Sequence, residues 1–223
     1  MTKTLTRLFD NYSDAENAVR ELETMGVPHS DISIVANDAT GAHGGTIRGH
    51  NDVGTKAAVA GHETAAAVAH ADDTGDVSRG ATTGALLGGA GGLLAGLGLL
   101  AIPGLGPVVA AGWLLATATG AGIGAAGGAA TGGIVGALKN SGHTDEEAHV
   151  YSEGVRRGST LVSAKVPDDM AASAVALFGR YNAVDAATRG SAYRETGWSG
   201  FDDKAAAYSA DEVAAERSRY TIR

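Results

Sequence analysis

The chain has 223 residues, of which 25 are acidic and 17 are Lys or Arg, and its formal net charge is −8. A protein with this excess of acid lacks the basic face that nucleic-acid phosphates require, so we expect no nucleic-acid partner. The chain contains no Cys, which excludes disulfides, thiolate metal sites and thiol nucleophiles.

Residues 1–36 have the pattern of a β-α-β unit. Segments 4–9 and 32–35 are rich in β-branched and large apolar residues and predict two strands. Between them, apolar residues recur at helical spacing from 15 to 25. Ser13 and Glu16 have the spacing of a capping box and predict the start of that helix. We expect this unit to be the first half of a folded domain.

Residues 37–79 read as a polar linker rich in Gly, Ala, Asp and His. Ordered metal sites need ligands that a second shell holds in place, and a Gly-rich linker offers little support of that kind. We therefore expect solvated side chains and no metal at its four histidines, which are His43, His50, His62 and His70.

Residues 80–138 contain no charged residue and no His, although about a quarter of ordinary residues are charged. This uncharged block holds 19 of the 34 glycines and is bracketed by Arg79 and Lys139. Its composition sets it apart from the polar sequence on either side.

The glycines of the block form two series with a spacing of four, which places each series on one face of a helix. Such small-residue faces let two helices pack closely, as in membrane proteins. A turn signal made of Pro103, Gly104, Gly106 and Pro107 separates the series. The pattern predicts a helical hairpin with arms 80–102 and 108–138, packed through Gly80, Gly84, Gly88, Gly92, Gly96, Gly120, Gly124, Gly128, Gly132 and Gly136.

Each predicted arm supplies the roughly 20 uncharged residues that a membrane span needs. Arg79 and Lys139 lie at the open end of the hairpin, so the positive-inside rule places both polar parts on the cytoplasmic face of the inner membrane. The alternatives are a soluble cytoplasmic assembly and a disordered segment, since Gly costs about 1 kcal/mol relative to Ala in an aqueous helix.

Residues 139–190 resume the folded pattern. Thr144 and Glu147 predict a capped helix to about residue 157, and the alternating segment 160–166 predicts a half-buried strand. A second helix with an apolar stripe follows from Pro167, and 183–187 predicts a last, weak strand. The tail, 191–223, is polar, and its capping box at Ser209 predicts one short helix.

With the uncharged block set aside, the predicted order is β-α-β followed by α-β-α-β. We therefore expect an α+β protein whose ferredoxin-like split β-α-β domain, with helices on one face of an antiparallel sheet, is interrupted by a Gly-zipper α-helical hairpin. Neither half has enough apolar residues to fold alone, so the two halves should close on each other.

Several segments together resemble a known family. These are Phe9-Asp10 before the first helix, the segment IPGLGPV at 102–108, YSEGVRRGSTLV at 151–162 and GWSGF at 197–201. They are similar to the general stress protein 17M-type family of heat-induced stress proteins, in its long form with a Gly-rich hydrophobic hairpin. The resemblance implies a bacterial stress-associated protein and implies no catalytic residues.

The motifs associated with nucleotide binding or nucleophilic catalysis are weak. Residues 122–127 match G-x-G-x-x-G, but no predicted strand precedes them as nucleotide binding requires. Residues 197–201 miss the G-x-S-x-G elbow at the last position. We expect no catalytic residue, no cofactor and no small-molecule partner, and we expect His143 and His149 to lie on the surface.

Arg156 and Arg157 form the one basic cluster, with Lys139 nearby. Two interpretations stay open at this point. Together with Arg79 and Lys139 they would contact anionic lipid headgroups, at about 1 kcal/mol per charge, or the two arginines simply complement the dipole at a helix C-terminus.

The sequence therefore predicts a non-enzymatic, stress-associated protein that binds itself and membrane lipid through the Gly-rich hairpin. One alternative is a soluble protein that assembles into a ring or filament. Another is a ferredoxin-like module that senses a small ligand.

Overall fold

The computed structural model describes residues 2–41, 98–102, 105–114, 117 and 133–220, and for residues 98–102 and 106 it describes the backbone alone. Five strands are present in these ranges: β1 (Thr2–Phe9), β2 (Ile32–Asn37), β3 (Gly98–Ile102), β4 (Gly106–Gly112) and β5 (Thr160–Pro167). The helices there are α1 (Tyr12–Thr24), α2 (Gly133–Asn140), α3 (Asp145–Arg156), α4 (Ala171–Arg180), α5 (Ala186–Glu195) and α6 (Ala210–Tyr220). The predicted α+β class is confirmed.

The strands form one antiparallel sheet in the order β1-β5-β2-β4-β3. Strand β5 therefore lies between β1 and β2, which α1 connects. At the outer edge of β1, Leu8 and Val184 exchange backbone hydrogen bonds of 2.9 and 2.8 Å. The two halves of the chain thus share a single sheet, as their short apolar segments led us to expect.

Helices cover both faces of the sheet, so the expectation of helices on one face is wrong. One core lies between the sheet and helices α1 and α4, and it contains Phe9, Ile34, Val162 and Phe178. The second lies between the opposite face and helices α2, α3 and α5. The burial of the strands agrees with two helix layers. Strand β2 is buried at all six positions, and β5 is buried at its first five positions, whereas a sheet covered on one face would be buried at alternate positions.

Residues 98–102 and 106–112 are strands, which corrects the prediction of helical arms in this part of the block. Strand β3 ends at Ile102 and β4 begins at Gly106, so Gly106 and Pro107 lie in β4 and not in the turn predicted for them, while Pro103 and Gly104 lie outside the described residues. The spacing of the glycines carries no information about which distant segment the backbone pairs with. Strand β4 pairs with β2, where Val109 lies opposite Ala36. The β-branched pair Val108-Val109 also suits a strand better than a helix.

Outside the described residues lie 80–97, 103, 104, 115, 116 and 118–132 of the predicted hairpin, together with the linker from 42 to 79. These ranges include nine of the ten zipper glycines and also Arg79, Pro103 and Gly104. Helix α2 agrees with the predicted end of the second arm and contains Gly136.

Helix ends agree with the sequence at two of three predicted capping boxes. Thr144 and Glu147 exchange both bonds at the start of α3, and Ser209 and Glu212 do so at the start of α6. The box at Ser13 is wrong, because α1 begins at Tyr12 and no side chain caps it.

The predicted weak strand at 183–187 is reduced to the bridge at Val184, and helix α5 begins directly after it. Asp185 caps α5 by accepting a 2.7 Å hydrogen bond from the backbone of Thr188. The expected boundary at residues 190 and 191 therefore falls inside a helix. Its buried positions are Ala186, Arg189, Gly190 and Tyr193, a stripe too polar to be recognised as a core-facing helix.

Gly112 gives a direct test of the β-hairpin. Its φ is +94°, and a Cβ there would overlap the carbonyl oxygen of Ile32. Substituting Gly112→Ala should therefore lower the free energy of unfolding by about 2–4 kcal/mol through backbone strain and steric overlap.

The matched control is Gly136→Ala in α2, where no described atom lies within 4 Å of the added Cβ. This change should be neutral or stabilising by up to about 1 kcal/mol. Urea unfolding measures both. Equal stability of the two variants would contradict the strand, because Ala is favourable in a helix.

Candidate functional site

Charged side chains gather at the end of the sheet where β1 and β2 finish and β5 begins. The α3–β5 connection turns there at Gly158, whose φ is +105°. We call the group the arginine cluster; its cations are Arg156, Arg157, Arg189 and Arg217, and its anions are Asp10, Glu153 and Glu216.

Glu153, which is fully buried, holds two of these arginines. Arg156 donates to its carboxylate at 2.9 and 2.7 Å, and Arg157 donates to it at 2.6 Å. Arg157 also donates to Glu216 at 3.0 Å and so connects α3 to α6. Burial works against the charge of Arg157, but its hydrogen bonds to the two glutamates hold its pKa above the usual value.

Arg189 is buried, and only two of its five N–H donors are used by acceptors in the described ranges. Its Nη2 donates to both oxygens of Asp10, at 2.7 and 2.8 Å, and the ring of Tyr220 lies 3.9 Å from its central carbon. Its Nε and Nη1 are sealed from solvent and have no hydrogen-bond acceptor within the described part of the chain. Each unsatisfied buried group of this kind costs about 1–3 kcal/mol.

Tyr193 lies one turn after Arg189 on α5 and presents a second unsatisfied group. Its hydroxyl is buried and has no partner among the described residues, and burial raises its pKa. The guanidinium of Arg157 lies 4.2 Å from the ring centre, and the ring of Trp198 meets it edge-on at 5.7 Å. The aromatic ring is thus well packed while its polar end is not satisfied.

Helix α6 closes the cluster, mainly through polar contacts. Of its residues only Val213 and Glu216 are buried. Val213 packs against Gly158, where an added Cβ would overlap it. Arg217 donates to the Gly158 carbonyl at 3.0 and 2.7 Å. Few apolar contacts therefore hold this helix in place.

A Thr-His-Glu arrangement crosses the middle of the sheet. The Thr6 hydroxyl lies 2.7 Å from Nε2 of His143 and 2.7 Å from the Ser163 hydroxyl, and Nδ1 of His143 lies 3.7 Å from Glu147. This order of groups resembles a nucleophile with its base. Thr6 and Ser163 are 1% and 0% exposed, however, so no substrate reaches either hydroxyl.

His143 itself corrects the expectation of a surface residue, because its side chain is only 10% exposed. Its ring meets Tyr151 edge-on at 5.5 Å. Burial lowers the pKa of His143, although Glu147 works in the opposite direction. The sequence could not reveal this environment because Thr6 is 137 residues away.

The two arginines proposed for lipid headgroups are part of the arginine cluster. Arg157 is buried and the side chain of Arg156 is 13% exposed, so neither presents its charge to a membrane surface. Lys139 is half exposed and pairs with Asp145 at 2.6 Å. The structure therefore brings Arg156 and Arg157 together but leaves Lys139 apart.

Gly136 is the zipper glycine that the structure describes, and no described atom lies within 4 Å of the Cβ that Ala would add there, so Gly136 makes no close helix contact among the described residues. Pro107 is the second residue of β4, and its side chain is exposed. Gly106 pairs with Ile102 at the end of the β-hairpin.

Neither a metal centre nor a membrane span is found in the described ranges. They contain no group of three or more His, Cys, Asp or Glu arranged to hold a metal ion. No helix among them is long and apolar enough to cross a bilayer.

Comparison of the chain with protein-family models, with curated proteins and with solved structures gives no match. The arginine cluster is therefore interpreted from its own geometry.

His143 gives a test based on pH. Because burial lowers its pKa, the unfolded chain binds this proton more readily than the folded chain does. The stability contribution is present above about pH 6.5 and is lost as the pH falls from there towards the lowered pKa, by at most about 1.4 kcal/mol per pH unit.

Substituting His143→Gln keeps a hydrogen-bonding group beside Thr6 and removes the titration. Urea unfolding at a series of pH values should show a shallower loss of stability below pH 6.5 in the variant, with parallel curves above pH 7. Parallel curves throughout would mean that the proton of His143 is not linked to folding.

Proposed function

We propose that this protein is a non-enzymatic, membrane-associated protein of a bacterial stress response. Its α+β domain carries the uncharged block, and the rest of that block associates with lipid and with other copies. The observation that carries the proposal is the β3–β4 hairpin, in which Gly98 pairs with Ala110. Because β3 and β4 are antiparallel neighbours, we infer that segments 80–97 and 115–132 leave the sheet side by side.

We also propose that the α+β domain has a ferredoxin-like fold. In that fold the last strand, the first, the third and the second lie side by side. The sequence Val184, β1, β5 and β2 supports this arrangement, with β4 and β3 added beyond β2. The second layer of helices is an addition to the plain two-layer form. The resemblance to the general stress protein 17M-type family supports the stress-associated role.

The proposed membrane contact is supported by position and by composition. Ala110 pairs with Val35, and β4 continues past it to Gly112 beside Ser33, so the open end of the β-hairpin points away from the end of β2 where the arginine cluster lies. Segments 80–97 and 115–132 contain 18 residues each and no charge. As helices they would be about 27 Å long, close to the roughly 30 Å of a bilayer core.

Membrane fractionation of the full chain tests this proposal. Leu87 lies near the middle of 80–97, and a Lys there costs about 3 kcal/mol in the insertion scale relative to Leu. We expect the unaltered chain in the membrane pellet after carbonate washing and the Leu87→Lys variant largely in the supernatant.

The matched control is Val175→Lys, which adds the same charge at an exposed position of α4. It should remain in the pellet with the unaltered chain. If the unaltered chain stays in the supernatant as a large assembly, the soluble ring or filament replaces the membrane proposal.

We propose that the Gly zipper takes its register from the β3–β4 hairpin. Continuing outward from the Gly98–Ala110 pair with equal rise in both arms places Gly88 beside Gly120 and Gly84 beside Gly124. Both series keep their spacing of four in this register, so small residues face each other at every turn.

Disulfide crosslinking tests this register, because the chain has no Cys of its own. The pair Gly88→Cys and Gly120→Cys should crosslink rapidly on oxidation, since bridged Cα atoms lie about 4.4–6.8 Å apart. The pair Gly88→Cys and Gly122→Cys is the control, because residue 122 lies on the far side of a helix from residue 120. Equal rates for the two pairs would mean that the glycines are not in this contact.

A further inference from the structure

Two neighbouring groups on α5 have unmet hydrogen-bonding capacity in the same place. These are the Nε and Nη1 of Arg189 and the hydroxyl of Tyr193, all of them sealed from solvent. Arg189 and Tyr193 are four residues apart, so they lie on one face of the helix. Buried polar groups of native proteins are almost always hydrogen-bonded, which makes three such atoms at one site a sign that an acceptor belongs there.

The charge of the surroundings indicates what kind of acceptor fits. The arginine cluster has four guanidinium groups and three carboxylates, and Arg219 also pairs with Glu216 at 3.0 Å, so the cations outnumber the anions by two. A guanidinium donates parallel N–H bonds from Nε with Nη2 or from Nη1 with Nη2, and Nη2 of Arg189 is already bonded to Asp10. The donors left on Nε and Nη1 and the Tyr193 hydroxyl therefore point in different directions, which suits the several oxygens of a phosphate better than one carboxylate.

Helix α6 occupies the position through which such an anion would enter. Glu216 already places a carboxylate against Arg157, and Tyr220 covers the face of Arg189. With α6 in this position, Nε and Nη1 of Arg189 remain without an acceptor among the described residues. Among the described residues of α6, Val213 is the one buried apolar residue. A ligand that satisfied the remaining donors would therefore compete with α6.

We propose that Arg189 and Tyr193 form a binding site for a phosphate group and that α6 is a displaceable cover over it. Phosphate oxygens accept from Nε and Nη1 of Arg189 and from the Tyr193 hydroxyl, while Asp10 keeps the guanidinium in position. Entry requires α6 to leave Arg157 and Gly158. This site is independent of the proposed membrane association.

Isothermal titration of the full chain with inorganic phosphate tests the site, with sodium chloride of equal ionic strength as the blank. Hydrogen exchange measured in parallel should show faster exchange in residues 210–220 when phosphate is bound. Glycerol phosphate serves as a second probe and should bind in the same way if the site takes phosphate esters.

Three variants make the test specific. Arg189→Lys keeps the positive charge but loses the planar set of N–H donors, so phosphate binding should weaken by about tenfold or more. Glu216→Gln loosens the cover, and binding should tighten by about fivefold to tenfold. Arg180→Lys, on the exposed surface of α4, is the control and should bind phosphate like the unaltered chain.

Tyr193→Phe keeps the test valid if Arg189→Lys fails to fold. It removes one buried hydroxyl that has no partner, so the variant should be at least as stable as the unaltered chain and yet bind phosphate several times more weakly. A purely structural role for Tyr193 would not separate stability from binding in this way. Absence of phosphate binding by the unaltered chain, or equal binding by the Tyr193→Phe and unaltered chains, would overturn the proposal.

Discussion

The position of β5 between β1 and β2 is the constraint on which the rest of the fold depends. Strands β1 and β2 belong to one continuous β-α-β segment, yet they do not touch; each pairs with β5 instead. Strand β1 therefore has no partner in the sheet until residues from beyond position 159 arrive. Contacts such as the 2.7 Å bond between Thr6 and Ser163 can form only after that closure. Loop-closure entropy must be offset by this late pairing, which is typical of slowly folding topologies.

The same arrangement gives the sheet two chemically different ends. At one end, the β-hairpin delivers the uncharged block next to the start of β2, where Gly112 pairs with Ser33. At the other end, the finish of β1, the start of β5 and helices α3, α5 and α6 surround the arginine cluster.

Much of the fold could be predicted because local signals were consistent with the tertiary structure. The strands near residues 4–9, 32–35 and 160–166 and the capping boxes at Thr144 and Ser209 are local features, and they lie where the sequence placed them. The β3–β4 hairpin was missed because a Gly spacing of four was taken as helical, whereas the partner of β4 is a distant strand. Local propensity does not contain that information.

The arginine cluster was beyond sequence reasoning for the same physical reason. Glu153 with Arg156 and Arg157 has the spacing of helical ion pairs, and this was the only available signal. Asp10 and Arg189 are 179 residues apart, and Arg157 and Glu216 are 59 apart. Burial on both sides of β5 likewise depends on helices whose packing no single strand reveals.

The hydroxyl of Thr6 links two hydrogen bonds whose donor–acceptor directions depend on each other. It carries one proton and lies 2.7 Å from both His143 and Ser163, so it donates to one of them and accepts from the other. With Nε2 of His143 unprotonated, Thr6 donates to the ring and accepts from Ser163. When Nε2 gains a proton the order reverses, and Thr6 must donate to Ser163 instead. A single proton on the imidazole thus sets the polarity of a hydrogen-bond chain that runs from the α2–α3 connection through β1 into β5.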